Sequence, residues 1–190
     1  TMGKLKERIL FRFRKWQQPV MVGNYKRFDG VKIPMTRVST ATVIQGQERF
    51  DVSDNVFIGH FNFIDATYGL KVEEGCQITN YVSLLTHSSH DAIRLYGAQY
   101  GKVGAMKAYN EGEVSIGKYT FIGPHTVVMP KSQIGKGCLI AAYSFVQGDF
   151  PDFSIIAGNP AKVVGDTRKK DEALLEKYPE LQGYYNEWAK

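Results

Sequence analysis

Aliphatic residues recur along this chain with a period of six. Ile116, Ile122, Val128, Ile134, Ile140 and Val146 form one unbroken run; glycine follows three of them, at Gly117, Gly123 and Gly135, and Ala141 follows a fourth. Four residues after each of the first five stands something small: Thr120, Thr126, Ser132, Cys138 and Ser144. The same beat occurs earlier as Val52, Ile58, Ile64 and Leu70, then after a shift of two as Val72, Ile78 and Leu84. A fainter run, Val38, Ile44 and Phe50, precedes it. A helix repeats its apolar positions every three to four residues and a half-buried strand every two, so a period of six fits neither. It fits a triangular coil in which each unit is a short strand and a corner. The aliphatic residue then points inward, the small residue shares the interior, and glycine permits positive φ at the corner. Three units make a coil of about 18 residues. Segments 38–84 and 114–151 therefore predict roughly five coils stacked through parallel strands.

Between Leu85 and Glu113 the beat is lost and then resumes at Val114. Connections longer than about 12 to 15 residues are uncommon in compact domains and are usually functional. This one, residues 85–113, holds His87, His90, Asp91, Arg94 and three tyrosines, and is made bendable by Gly97, Gly101, Gly104 and Gly112. Its root, "THSSH", carries two of the chain's four histidines. The segment reads as an arm leaving one corner of the prism, with its histidines at the point of departure.

The flanks differ in character. Residues 1–37 read as a basic arm and lead-in, 38–166 as the coiled domain, and 167–190 as a helical tail. The net charge of +5 is local: Lys4, Lys6, Arg8, Arg12, Arg14 and Lys15 against Glu7 account for all of it. That is no broad footprint for phosphate backbones, so nucleic acid is not an expected partner. Leu5, Ile9 and Phe13, with Trp16 three residues later, predict a basic amphipathic helix. It is expected to dock on the domain, with peripheral contact to an anionic membrane surface as the alternative. "DEALLEKY" predicts a short helix stopped by Pro179, capping the last coil or packing on a neighbouring subunit. Cys76 and Cys138 lack metal or disulfide spacing and read as reduced core thiols. No apolar run approaches the roughly 18 residues of a membrane span, and a cytoplasmic location, including the inner face of the membrane, is expected.

The period of six, the excursion with "THSSH" at its root and the ending "FPDFSIIAGNPAKVV" together resemble the hexapeptide-repeat acyltransferases. Among these the galactoside, maltose and xenobiotic acetyltransferase branch, with its relatives that acetylate surface polysaccharides, is the most similar. The likeness spans about residues 38–164. It implies a mainly β fold, a left-handed parallel β-helix with a long excursion loop and short N- and C-terminal helices. It further implies a homotrimer that takes acetyl-CoA as acyl donor in the crevice between prisms and a carbohydrate as acceptor.

On the resemblance, His87 matches the catalytic base. A thioester is already activated, so an acceptor hydroxyl can attack it directly once its proton is removed, and imidazole is suited to that near neutral pH. His90 is expected to support the site or touch the acceptor. Asp91 and Glu113 are candidates to orient the imidazole, and His125 is expected to be structural or to line the cleft. His60, Asn62 and Asp65 fall where relatives contact the acceptor. Phe121, Ala142, Gln147, Gly148 and Lys162 match the positions that contact CoA. Gln147-Gly148 departs from the Thr-Lys common in relatives, which removes one cation from the phosphates; Lys162, Arg168, Lys169 and Lys170 can compensate.

Two other readings stay open on the sequence: N-acetylation of an amino sugar nucleotide, and a catalytically silent β-helix scaffold. A zinc site of three histidines is not expected, because His87 and His90 stand three apart in the excursion and His125 is remote.

Overall fold

The computed structural model describes residues 2–16, 18–104 and 106–190. From Arg37 onward the chain visits three sheets in turn and then returns to the first. The first sheet stacks Arg37–Ser39, Phe57–Ile58, Gln77–Ile78, Phe121–Ile122, Leu139–Ile140 and Ser154–Gly158 in parallel. The second stacks Val43–Gln45, Phe63–Asp65, Ser83–Leu84, Val127–Val128 and Phe145–Val146. The third stacks Phe50–Val52, Leu70–Val72, Val114–Ile116, Gln133–Ile134 and Asp149–Phe150. The fold is thus mainly β with parallel sheets. The terminal strands are antiparallel: Met21–Val22 pairs with the first strand of the first sheet, and Ala161–Asp166 folds back on the last. Both edges of that sheet are covered, which keeps them from pairing with another chain.

The six-residue beat becomes the core. Ile58, Ile78, Ile122 and Ile140 are successive register partners and fully buried, as are Ile64, Leu84, Val128 and Val146 in the second sheet. Each such side chain contributes roughly 1.5 to 3 kcal/mol by leaving water. The shift of two has a structural cause. In the first three coils the third-sheet strand is long enough to turn two residues inward, Phe50 with Val52, Leu70 with Val72 and Val114 with Ile116. The first two of those coils therefore step by 20 residues, from Arg37 to Phe57 to Gln77, the third carries the excursion, and a later coil steps by 18, from Phe121 to Leu139. The small residues do more than save space. Thr120, Thr126, Ser132 and Ser144 each donate a hydroxyl to a corner carbonyl, of Gly135, Ala141, Met129 and Ala141 respectively, so the interior holds few unpaired acceptors.

The glycine expectation is corrected. Gly59, Gly117, Gly123 and Gly135 do not have positive φ; they allow neighbouring coils to approach, and a Cβ at Gly117 would stand 2.5 Å from the Lys136 nitrogen. The left-handed corners are mostly occupied by large residues, among them Phe61, Tyr81, His125 and Tyr143. Such a conformation costs a side-chain-bearing residue about 1 to 2 kcal/mol. At this corner it is offset by a ladder of rings: Phe61 on Tyr81 at 5.2 Å, Tyr81 on His125 at 4.8 Å and His125 on Tyr143 at 4.7 Å, all stacked. His125 is accordingly a structural member of that ladder.

The flanking helices are α1 (Met2–Trp16), α2 (Ala92–Tyr96), α3 (Thr167–Lys177) and α4 (Gln182–Trp188). The docking expected of α1 is not seen: Leu5 and Ile9 are 60% and 59% exposed. The side chains of Phe13 and Trp16, the rest of the expected apolar stripe, lie outside the described residues. Helix α3 begins earlier than its sequence signal, because the Asp166 carboxylate accepts from the Arg168 N–H as an N-cap. The tail packs along a side corner, with Trp188 against Tyr119 at 4.6 Å and Phe153 at 5.9 Å. The last coil is covered instead by the Ala161–Asp166 strand. Both cysteines are buried; burial pushes the Cys76 thiol up to about 12 and raises Cys138 as well.

Candidate active site

The excursion leaves the prism after Ser83–Leu84 in the second sheet and returns at Val114 in the third. Its two ends close on each other. His87–Ser88 pairs antiparallel with Asn110–Glu111, with His87 opposite Glu111, and the Gly112 N–H donates to the Thr86 carbonyl at 3.0 Å. Beyond this neck the arm has structure of its own, α2 and a 3-10 turn at Gly97–Lys102.

His87 therefore sits on a rigid ladder. Its Nδ1 lies 2.6 Å from the Asp65 Oδ2 but without hydrogen-bond alignment, and its side chain is 32% exposed. Asp65 is fully buried and fixed from three directions: the Thr86 N–H and hydroxyl donate to Oδ2 at 3.1 and 3.0 Å, and the Thr67 N–H donates to Oδ1 at 3.0 Å. Burial is the largest influence on this carboxyl and works to raise its pKa. The bonds from Thr67 and Thr86 together outweigh it and hold the group below its ordinary value. A charged carboxylate anchored next to Nδ1 favours a proton there and leaves Nε2 as the basic nitrogen. Two phenols complete the surroundings, with Tyr109 stacked on the imidazole at 5.7 Å and Tyr68 tilted against it at the same distance.

Several sequence candidates go elsewhere. Asp91 pairs with His90 at 3.2 Å and with Arg94, and Glu113 lies exposed beside Gly69, so the carboxylate at His87 is neither of the two expected. Asp65 itself, expected to contact an acceptor, is sealed beneath the imidazole. Asn62 is buried and closes the coil, donating to the Gly59 and Thr79 carbonyls and accepting from the Val82 N–H. It has no free polar atom to offer a ligand. His60 is half-buried with Nδ1 2.7 Å from the Ser39 hydroxyl, on a different corner from His87. His90 is exposed, and its Nδ1 lies 2.8 Å from the Ser88 hydroxyl.

The CoA candidates do not converge within one chain. Phe121 faces outward from the first sheet, and Ala142 stands at the corner between the first and second. Gln147 and Gly148 follow the last second-sheet strand, and Lys162 lies on the terminal hairpin. All but the half-buried Gly148 are exposed.

Tyr68, Tyr109 and Glu111 had no signal in the repeat. The 20-residue step could have found Asp65, because it places His87 one coil above Thr67, two residues from that carboxylate.

Residues 113–148 match the family model described as bacterial transferase hexapeptide (six repeats). Serine acetyltransferase 2 of Arabidopsis thaliana is 27% identical over 139 residues, which is 73% of this chain and 39% of that protein. A probable acetyltransferase of Mycobacterium tuberculosis is 29% identical over 145 residues, 75% of this chain and 45% of that protein. The chain thus spans less than half the length of these relatives. A maltose O-acetyltransferase from Clostridium difficile 630 has a similar fold, with a TM-score of 0.58 at 19% identity over 67% of this chain and 64% of that one. The repeat at residues 113–148 and the parallel three-sheet winding thus resemble those of the hexapeptide-repeat transferases.

Proposed function

We propose that this chain is an acetyl-CoA-dependent O-acetyltransferase built on a left-handed β-helix, acting on a sugar hydroxyl of a surface glycan. The observation that carries the proposal is the His87–Asp65 pair at the neck of the excursion. Its chemistry is complete without a covalent enzyme intermediate. His87 Nε2 takes the proton of the acceptor hydroxyl as that oxygen bonds to the thioester carbonyl carbon. The C–S bond then breaks, and the imidazolium returns the proton to the departing thiolate. Asp65 stabilises the positive ring in between. Acetyltransferases among the relatives support the donor.

In this reading Phe121, Ala142, Gln147, Gly148 and Lys162 hold CoA between copies of the chain in a homotrimer. Their dispersal over one prism supports that, since a shared crevice needs exposed residues on separate sheets. The basic helix α1 supports a place at the inner face of the membrane. No helix among the described residues is long and apolar enough to cross one. The test is release of free CoA thiol from acetyl-CoA across a panel of sugars, nucleotide sugars and purified polysaccharides. Acceptor-dependent release with identification of an ester product is expected. A panel with no acceptor-dependent release moves the assignment to a non-catalytic scaffold.

A further inference from the structure

Beside His87 the excursion roofs a cavity of 410 Å³ lined by Tyr68, Tyr100, Gly104, Met106, Tyr109 and Glu111. Glu111 is the cross-strand partner of His87, so the two side chains leave the ladder on one face, roughly 5 Å apart at their β-carbons. Tyr68 and Tyr109 stand 6.4 Å apart and inclined by 50°. The lining contains no cation. Among the described residues Glu111 forms no ion pair, and the nearby Arg49 guanidinium is directed to the Thr67 carbonyl at 3.1 Å.

Three phenol rings, a thioether and a carboxylate that has the Tyr68 phenol as a hydrogen-bond partner but no cation are the wrong chemistry for a phosphate or a carboxylate. They suit a positive charge: aromatic faces attract a cation through their quadrupole, and a carboxylate fixes it by a charge-assisted hydrogen bond. We propose that this cavity takes an organic ammonium, and that the acceptor is an amino-bearing sugar. Its amine is held on Glu111 among the tyrosines while a neighbouring hydroxyl reaches His87. The pairing also decides which atom reacts. An amine kept protonated by Glu111 has no lone pair to offer, so oxygen rather than nitrogen is acylated. The placement of the hydroxyl rests on His87 being the base; the ammonium site does not.

Binding is therefore measured without acetyl-CoA, by calorimetry or ligand-observed NMR at pH 6.5, with D-glucosamine, D-glucose and N-acetyl-D-glucosamine as probes and tetramethylammonium as competitor. Glucosamine is expected to bind about 10-fold tighter than the two neutral sugars and to be displaced by tetramethylammonium. Glu111→Gln should reduce that preference to about 2-fold or less, and Tyr109→Leu should weaken tetramethylammonium binding, each with an unchanged melting profile. His87→Ala should keep the preference. Equal affinity for glucosamine and glucose, a preference that survives Glu111→Gln, or no saturable binding of either ammonium probe overturns the proposal. If the preference holds but His87→Ala leaves turnover intact, the ammonium site stands and the base assignment falls.

Discussion

Asp65 and His87 meet across one coil of the prism, Oδ2 to Nδ1 at 2.6 Å. Of the two, the carboxylate is the fixed partner. It is held by Thr67 and Thr86 and buried, so it sets where the ring can lie. The ring is about one third exposed to solvent. In the proposed mechanism a base anchored in this way loses little orientation freedom when the acceptor arrives.

The pair should act as one unit. His87→Ala is expected to lower acetyl transfer about 10²-fold or more. Asp65→Asn, which keeps shape but removes charge, should lower kcat about 10- to 100-fold with little change in KM for acetyl-CoA. The double variant should be no worse than His87→Ala by more than about 3-fold, because residues that act together are not additive. Losses that multiply would show Asp65 working through something other than His87.

Asp65 also ties stability to acid. Its carboxyl titrates below the ordinary 3.8 in the folded state, so the unfolded chain binds the proton first as pH falls. The stabilisation is complete above 3.8 and is lost as pH drops through the lower folded value. Denaturant midpoints measured from pH 6 downward should fall below about pH 4 in the wild type and more gently in Asp65→Asn. Identical acid limbs would remove Asp65 from the linkage.

The inner column was legible because every sixth residue has one job, filling the interior between the three sheets with an aliphatic side chain, and the strands carry that constraint at Ile58, Ile122 and Ile140 alike. What escaped were relationships between coils. A shift of two between Leu70 and Val72 marks a longer strand, yet its meaning appears only once the coil step of 20 is known, and that step is what brings Asp65 beneath His87. Glycine after an aliphatic residue was legible as a backbone requirement, but sequence does not separate positive φ from close approach. Glu111 was hidden because its partner is defined by how the excursion closes, not by the repeat.

Gly117→Ala tests close approach. Its Cβ would meet Lys136 backbone at 2.5 Å, and stacked coils have no room to yield, so a loss of about 1 to 3 kcal/mol is expected in denaturant unfolding. The left-handed corners should behave oppositely. At Tyr143, with φ of 61° and its ring on His125, alanine keeps the strain and loses the stacking, while glycine loses only the stacking. Tyr143→Gly is expected to be about 1 kcal/mol more stable than Tyr143→Ala. The reverse order would mean the ladder residue is not strained.

The arm makes the last prediction. Lys6, Arg8, Arg12 and Lys15 lie on a helix whose Leu5 and Ile9 are exposed, so α1 offers apolar side chains and positive charge together that pair with nothing among the described residues. Neutral surfaces reward only the apolar part. Anionic lipid adds roughly 1 kcal/mol per basic residue near the surface, and that share is screened within a Debye length of about 8 Å at physiological salt. In cosedimentation, the protein should therefore bind vesicles containing phosphatidylserine and not pure phosphatidylcholine vesicles. Binding should fall steeply between 50 and 500 mM salt, and deletion of residues 2–16 should abolish it while the melting curve of the coiled domain stays in place. Equal recovery with both lipids, or binding indifferent to the deletion, would assign α1 to a protein partner instead of a membrane.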